Sequence, residues 1–323
     1  MRRFLPMLTS LLLVSATPAV TQEMAFADAA LLTPGAKAGD TIGKYSFKLT
    51  FEATAIDGMD EVRQRFIDNG ILAETLDEVA AQIALPQDVP VTFTDCGEPN
   101  AWWMSEEKEL KFCYEMIALY NTGYEHIDGA EKDLLLQAER ETVLIGTTMF
   151  ILFHELGHGF VDLCQLPITG REEDAVDQFA AITLIESDEE DDELEQRPSR
   201  MALIGAYFFH QLAAAPDAIT RHILANEHAL GQQRFYDVMC LALGANEELY
   251  GPILALGIQM VDDSAQRHPE LATEERVAEW LERTDDLNIL PYKRAFRCAN
   301  EYARYSASWN YMFDNFMVPQ QDY

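Results

Sequence analysis

The residues best suited to chemistry are two histidines and a glutamate in the run 154–158, HELGH. At about 3.6 residues per turn, His154 and His158 lie one turn apart on the same face of a helix, where two imidazoles can bind one zinc ion. Glu155 lies beside them, placed to take a proton from a water bound to the metal. Zinc lowers the pKa of such a water to about 7, so the pattern predicts metal-assisted hydrolysis of an amide.

The sequence around this motif supports a buried helix. Residues 147–153 are almost wholly apolar. Gly157 and Gly159 lower helix stability, and we interpret them as leaving space around the metal. A motif with three fixed positions also arises by chance, so a structural pair of histidines is the alternative unless a third ligand is found.

A third ligand is available on the next predicted helix. The metzincin extension would require glycine at 161 and histidine at 164, but Val161 and Cys164 stand there. Glu173 and Asp177 share one helix face four residues apart. Glu173 is predicted to complete a His₂Glu site with water in the fourth position. Asp177 is predicted to accept the free ring N–H of a zinc-bound histidine.

Other residues of this helix have a simpler explanation. Acidic side chains in a first turn stabilise the helix dipole, which accounts for Glu172 and Asp174. Asp177 lies beyond the first turn, where this explanation applies less well.

Two more groups are candidates for substrate contact. Asn100, Ala101 and Trp102 lie on a predicted strand that resembles the edge strand on which gluzincin metallopeptidases hold a substrate backbone by strand addition, although an ordinary hairpin with buried tryptophans is the alternative. His228 is predicted to donate to the developing oxyanion. Arg234 is predicted to anchor a substrate carbonyl or to hold an active-site acid; a capping histidine and a surface arginine are the alternative.

The elements that position these residues follow from hydrophobic periodicity. Strands are predicted at 45–51, 89–94, 101–104 and 109–113, and a helical stretch at 60–85 is interrupted by Gly70. The remaining helices are predicted at 113–120, 131–163, 171–187, 198–214, 228–243, 270–283 and 290–312. The fold class is therefore α+β and mostly helical, with a small mixed sheet N-terminal to the motif helix. The peptidase domain is predicted at 44–323, with an α+β part at 44–165 and a helical part at 166–323.

The N-terminal residues predict export. Residues 1–27 have a positive start, an apolar stretch and an A-x-A cleavage site, as a secretory signal peptide does; a short membrane anchor is the alternative. Residues 28–43 are predicted to be a flexible lead-in. No later segment reaches the roughly 18 continuous apolar residues of a membrane span. The protein is therefore predicted to be periplasmic or secreted.

The net charge of the protein limits the classes of partner that it can bind. The formal net charge is −32, so acidic a surface excludes nucleic acid and anionic membranes as partners. The acidic run 186–195 is predicted to be a solvated, mobile loop, with calcium binding as the alternative.

Five cysteines in an exported chain permit two disulfides and one free thiol. Cys96 and Cys113 flank a short polar segment and are predicted to pair across neighbouring strands. Cys240 and Cys298 form the second predicted pair, which leaves Cys164 free. Five reduced, buried cysteines are the alternative, which export disfavours.

The HELGH motif followed by an E-x-x-x-D helix resembles the gluzincin metallopeptidases. More of the chain is similar to a bacterial metallopeptidase family described as a domain of unknown function, from about residue 45 to 312. The segments that carry this likeness are 96–97, 100–101, 113–115, 170–180 and 230–236. The resemblance implies zinc-dependent peptidase activity and adds no substrate. Cys164 departs from it.

The sequence thus favours a zinc-dependent peptidase acting on peptide or protein substrates. One alternative is a catalytically weak protein that keeps the zinc fold to bind a partner; retention of Glu155 argues against it. Another is a zinc hydrolase of a non-protein amide, such as cell-wall material.

Overall fold

The computed structural model describes residues 39–127, 138–188, 197–212 and 228–319. The predicted signal peptide at 1–27, most of the predicted lead-in and most of the acidic run lie outside the described residues.

A four-stranded mixed sheet forms the N-terminal layer, and it confirms the predicted strands. The strands are β1 (Phe47–Phe51), β2 (Val89–Thr94), β3 (Ala101–Met104) and β4 (Glu109–Cys113). Their spatial order is β1-β2-β4-β3, with β1, β2 and β4 parallel and β3 antiparallel to β4. Apolar residues alternate along β2 and are fully buried on one face. In this strand order, β3 stands at one end of the sheet and is therefore an edge strand.

Helices make up most of the rest of the described chain, so the predicted α+β, mostly helical class is confirmed. Two helices, α1 (Met59–Asn69) and α2 (Ile71–Gln82), connect β1 to β2 and meet at Gly70, as predicted. The helices after the sheet are α3 (Tyr114–Glu125), α4 (Arg140–Cys164), α5 (Glu172–Glu186), α6 (Pro198–Leu212), α7 (Gly231–Ala245), α8 (Glu247–Leu254), α9 (Leu256–Arg267), α10 (Glu274–Thr284), α11 (Tyr292–Ala295) and α12 (Cys298–Met312).

Helix α4 lies at the centre of the fold. It contacts β3 and β4 on one side and α5 and α6 on the other. It is also the one helix among the described residues that is long and apolar enough to cross a membrane, but 89% of its apolar window is buried inside the protein. Burial of this kind is what a core helix of a globular protein shows.

The sequence prediction missed α8 and α9. Gly251, Pro252 and Gly257 look like helix breakers, but each is accommodated. Pro252 lies near the end of the short α8, and Gly257 lies in the first turn of α9, where Asn288 accepts from its backbone N–H at 2.8 Å. The single helix predicted at 290–312 is two helices in the structure, α11 and α12.

Both predicted cysteine pairs are bonded in the structure. Cys96–Cys113 joins the ends of the parallel strands β2 and β4, and Cys240–Cys298 joins α7 to α12. Cys164 is a free, buried thiol at the end of α4, and burial raises its pKa to about 12. The disulfides suit an oxidising compartment.

Mass mapping without reduction is expected to find the peptides of Cys96–Cys113 and of Cys240–Cys298 linked. Cys164 should resist alkylation at pH 8 in the folded protein, because thiolate is the reactive form, and should be modified after denaturation. Each bridge should stabilise the fold by about 2–4 kcal/mol. A linked peptide containing Cys164 would contradict this pairing.

Candidate active site

Helices α4 and α5 bring three predicted metal ligands together. The carboxylate of Glu173 faces both imidazoles of the motif: its Oε2 lies 3.3 Å from His154 Nε2, and its Oε1 lies 3.5 Å from His158 Nε2. The two rings have centroids 5.0 Å apart. Nitrogen and carboxylate donors that converge in this way suit Zn²⁺.

The carboxylate of Glu173 offers a test of whether a metal fits here. Its Oε2 is buried and has no hydrogen-bond partner within the described parts of the chain. It nevertheless lies 3.3 Å from His154 Nε2 and 2.9 Å from His228 Nε2, so the three donors converge on one point. A cation between them would satisfy this oxygen, and His154, Glu173 and His228 each offer one ligand atom within 4.8 Å of the others. The donor set therefore fits a metal ion.

The carboxylate of Asp177 contacts the second ring nitrogen of His154, Nδ1. Its Oδ1 lies 2.8 Å from His154 Nδ1, as a partner that fixes the tautomer of a metal-bound imidazole would. Burial raises the pKa of Asp177, but the guanidinium of Arg234 outweighs burial and lowers it to about 2. Burial likewise lowers the pKa of His154, but the nearby carboxylates of Asp177 and Glu173 outweigh this and raise it to about 9.

The guanidinium of Arg234 binds the carboxylate of Asp177. Its Nε and Nη2 donate to the two oxygens of Asp177 at 2.6 and 2.7 Å, and its guanidinium stacks on Phe209 at 3.6 Å. Of the two predicted roles, this geometry fits holding an active-site acid and not anchoring a substrate. Arg234 is thus a positioning residue.

Glu172 contacts the second histidine, which the sequence did not predict. Its Oε1 lies 2.7 Å from His158 Nδ1, so Glu172 stands to His158 as Asp177 stands to His154. The explanation of Glu172 as a helix-dipole residue is therefore incomplete. Its position fourteen residues after His158 carries no periodic signal, because the turn between α4 and α5 sets this contact.

Glu155 lies beside the donor cluster and is 9% exposed. Its Oε2 accepts from the backbone N–H of Trp103 on β3 at 2.9 Å. Burial raises the pKa of Glu155, with opposing effects from His154 and His158. A raised pKa suits a general base, and one bonded oxygen leaves the other able to accept a proton.

The two glycines of the motif have a different role from the predicted one. A Cβ on Gly157 would meet Val176 at 2.9 Å, and a Cβ on Gly159 would meet the ring of Trp103 at 3.0 Å. Both glycines therefore let neighbouring elements approach α4 closely. The prediction that they leave space around the metal was wrong.

The side chains of His154, Glu155, His158 and Glu173 line one open cleft of about 520 Å³. Ala101 and Trp102 of the edge strand and Asn100 just before it also line this cleft. Since the N–H of Trp103 is directed at Glu155 and not at β4, the free edge of β3 borders the cleft. His228 closes the other side, with its ring stacked toward His154 at 6.4 Å and its Nε2 2.9 Å from Glu173 Oε2.

A comparison with protein families assigns the chain to one of them. The profile of DUF4344, a family described as "putative metallopeptidase", matches residues 52–281, well over half of the chain. The chain belongs to this family. Membership in DUF4344 confirms the resemblance to a metallopeptidase family described as a domain of unknown function. No curated protein and no solved structure matches the chain.

Membership in a metallopeptidase family implies a metal, and the donors that converge on Glu173 suit one. A second group of possible donors in this DUF4344 chain, Cys96, Cys113 and Glu115, is not a comparable site. Its two sulfurs are joined to each other, and Glu115 accepts from the backbone N–H groups of Cys96 and Gly97.

Proposed function

We propose that this chain is an exported, zinc-dependent peptidase of the gluzincin type, acting through one peptidase domain at 44–323. The observation that carries the proposal is the buried Glu173 Oε2, which faces imidazole nitrogens without a hydrogen bond among the described residues. Family membership supports the peptidase class. Periplasmic or secreted location is supported by the two disulfides.

In this proposal His154, His158 and Glu173 hold the metal. Zinc, when bound, supplies a Lewis acid that polarises a carbonyl oxygen and makes water more acidic. Asp177 and Glu172 orient the two imidazoles from behind, and Arg234 keeps Asp177 ionised.

Glu155 acts as the general base. It takes a proton from water as the water oxygen bonds to the substrate carbonyl carbon. The same carboxyl group then gives that proton to the amide nitrogen as the C–N bond breaks, which leaves a carboxylic acid and an amine; the acid then loses its proton to the amine, giving a carboxylate and an ammonium. Trp103 keeps one oxygen of Glu155 fixed during both transfers.

The substrate backbone is proposed to lie along β3, with Asn100, Ala101 and Trp102 at the free edge. His228 faces the opposite side of the cleft and is 39% exposed, so it can approach a bound carbonyl. It is proposed to donate to the developing oxyanion.

The direct test is zinc quantification together with cleavage of a mixed peptide library by the purified protein. About one zinc per chain is expected, with product peptides that end at new amino and carboxyl termini. Metal removal by a chelator should stop cleavage, and added zinc should restore it. A chain that holds zinc but cleaves no peptide would contradict the proposal and favour a partner-binding or non-protein amide role.

Replacing His228 by alanine is expected to lower turnover by about 10²–10³-fold at full zinc occupancy, because one oxyanion donor is lost. The measurement is turnover with zinc content determined on the same sample. Loss of zinc would instead make His228 a metal ligand, which its place near Glu173 also permits. Unchanged turnover would exclude both roles.

A further inference from the structure

Three side chains join the β3–β4 hairpin to the helix that carries the motif. Asp162, two turns after Glu155 on α4, accepts from the indole Nε1–H of Trp103 at 2.8 Å. Both oxygens of Asp162 also accept from Lys108 Nζ at 2.7 Å. Lys108 lies in the turn between the strands, where its backbone N–H donates to the carbonyl of Met104 at 2.8 Å.

Trp103 therefore contacts α4 in three ways. Its backbone N–H donates to Glu155, its ring lies against Gly159, and its indole N–H donates to Asp162. The three contacts lie on consecutive turns of one helix face. Sliding or rotation of β3 would break all three together, so the position of the Trp103 N–H depends on the side-chain contacts.

The turn itself is held in an uncommon conformation. Lys108 has a φ of 55°, in the left-handed region that few residues other than glycine adopt. The side chain of Lys108 is 33% exposed and that of Asp162 is 24% exposed, so the pair is only partly screened by solvent. Since the same carboxylate binds the indole, a general surface ion pair does not describe this arrangement.

We propose that Asp162 is a positioning residue for the general base: with Lys108 it fixes Trp103, and Trp103 fixes Glu155 through its backbone N–H. This inference rests on the proposed function, because it assigns a consequence to the orientation of Glu155. Asp162 does not touch the reacting atoms. Its effect passes through the edge strand.

The test compares Asp162→Ala with Asp162→Asn, and uses Glu106→Gln, an exposed carboxylate of the same turn, as the matched control. Asp162→Ala is expected to lower kcat by about 10–100-fold, the effect of a small misplacement of a catalytic group. KM and zinc content should change little, because β3 keeps its pairing with β4. Asp162→Asn should retain part of the activity, because its amide oxygen can still accept from the indole.

A second measurement does not depend on activity. The indole N–H signal of Trp103 in a ¹⁵N NMR spectrum, assigned with Trp103→Phe, should shift in Asp162→Ala and stay in place in Glu106→Gln. Thermal unfolding would show that each variant is folded.

The outcomes separate the two proposals. An unmoved indole signal, or a kcat for Asp162→Ala equal to that of Glu106→Gln, would overturn the positioning role while leaving the peptidase proposal intact. A wild-type protein without hydrolysis would overturn the peptidase proposal and the positioning role together.

Discussion

Replacing Glu155 by glutamine is expected to remove hydrolysis and leave zinc content unchanged. Glutamine keeps the size of the side chain and an oxygen that can accept from Trp103, but it cannot take a proton from water. General-base catalysis contributes about 10²–10⁴-fold, so turnover should fall by at least that range. Zinc should stay, because Glu155 accepts from the backbone N–H of Trp103 and is not one of the proposed ligands His154, His158 and Glu173.

The measurement is single-turnover or steady-state hydrolysis of a peptide found in the library, with zinc determined by mass spectrometry on the same sample. Glu107→Gln, an exposed glutamate in the turn between β3 and β4, is the matched control for loss of one negative charge. Undiminished turnover in Glu155→Gln would remove the proposed mechanism, and loss of zinc would make Glu155 a ligand.

Replacing Glu173 by alanine is expected to lower zinc affinity more than any other single substitution on α5. Glu173 is the carboxylate that faces both motif histidines, and its removal takes a donor atom from the metal. Residues that only orient a ligand cost about 10–100-fold in metal affinity, so the loss for Glu173→Ala should exceed that range. Zinc affinity measured by competition with a chelator provides the number.

Substitutions of two neighbouring residues on α5 serve as controls with smaller expected losses of zinc affinity. Glu172→Ala should fall within about 10–100-fold, because Glu172 bonds to His158 and not to the metal. Asp174→Ala should leave zinc affinity unchanged, since the Asp174 carboxylate accepts no hydrogen bond from an imidazole in the described part of the chain. If Glu172→Ala removes zinc and Glu173→Ala does not, the assignment of the ligand is wrong by one residue.

Much of the fold was predictable because its elements carry local signals. The strands alternate, and the helices around the motif have long apolar runs, so their existence and order followed from periodicity. Helices α8 and α9 were missed because Gly251, Pro252 and Gly257 are local breakers whose cost is met by contacts distant in sequence, such as that of Asn288 with Gly257.

The candidate site was predictable to the extent that it lies on single helices. His154, Glu155 and His158 follow from spacing on α4, and Glu173 and Asp177 from spacing on α5. The contacts of Glu172 and Trp103 depend on how α5 and β3 pack against α4, and spacing within one element does not contain that information. Gly157 and Gly159 were misinterpreted for the same reason, since the elements they admit are distant in sequence.

The burial of α4 has a consequence for how the protein would lose activity. Loops that carry active sites often open at low free energy, whereas core helices exchange their amide hydrogens only when the whole domain unfolds. Residues 149–157 of α4, which include His154 and Glu155, are all buried, so the chemistry belongs to the part of the fold that opens last. Denaturant should therefore abolish activity and protection of these amides from hydrogen exchange at the same concentration. Core substitutions far from the cleft should reduce the amount of active protein and leave the turnover of each folded molecule unchanged.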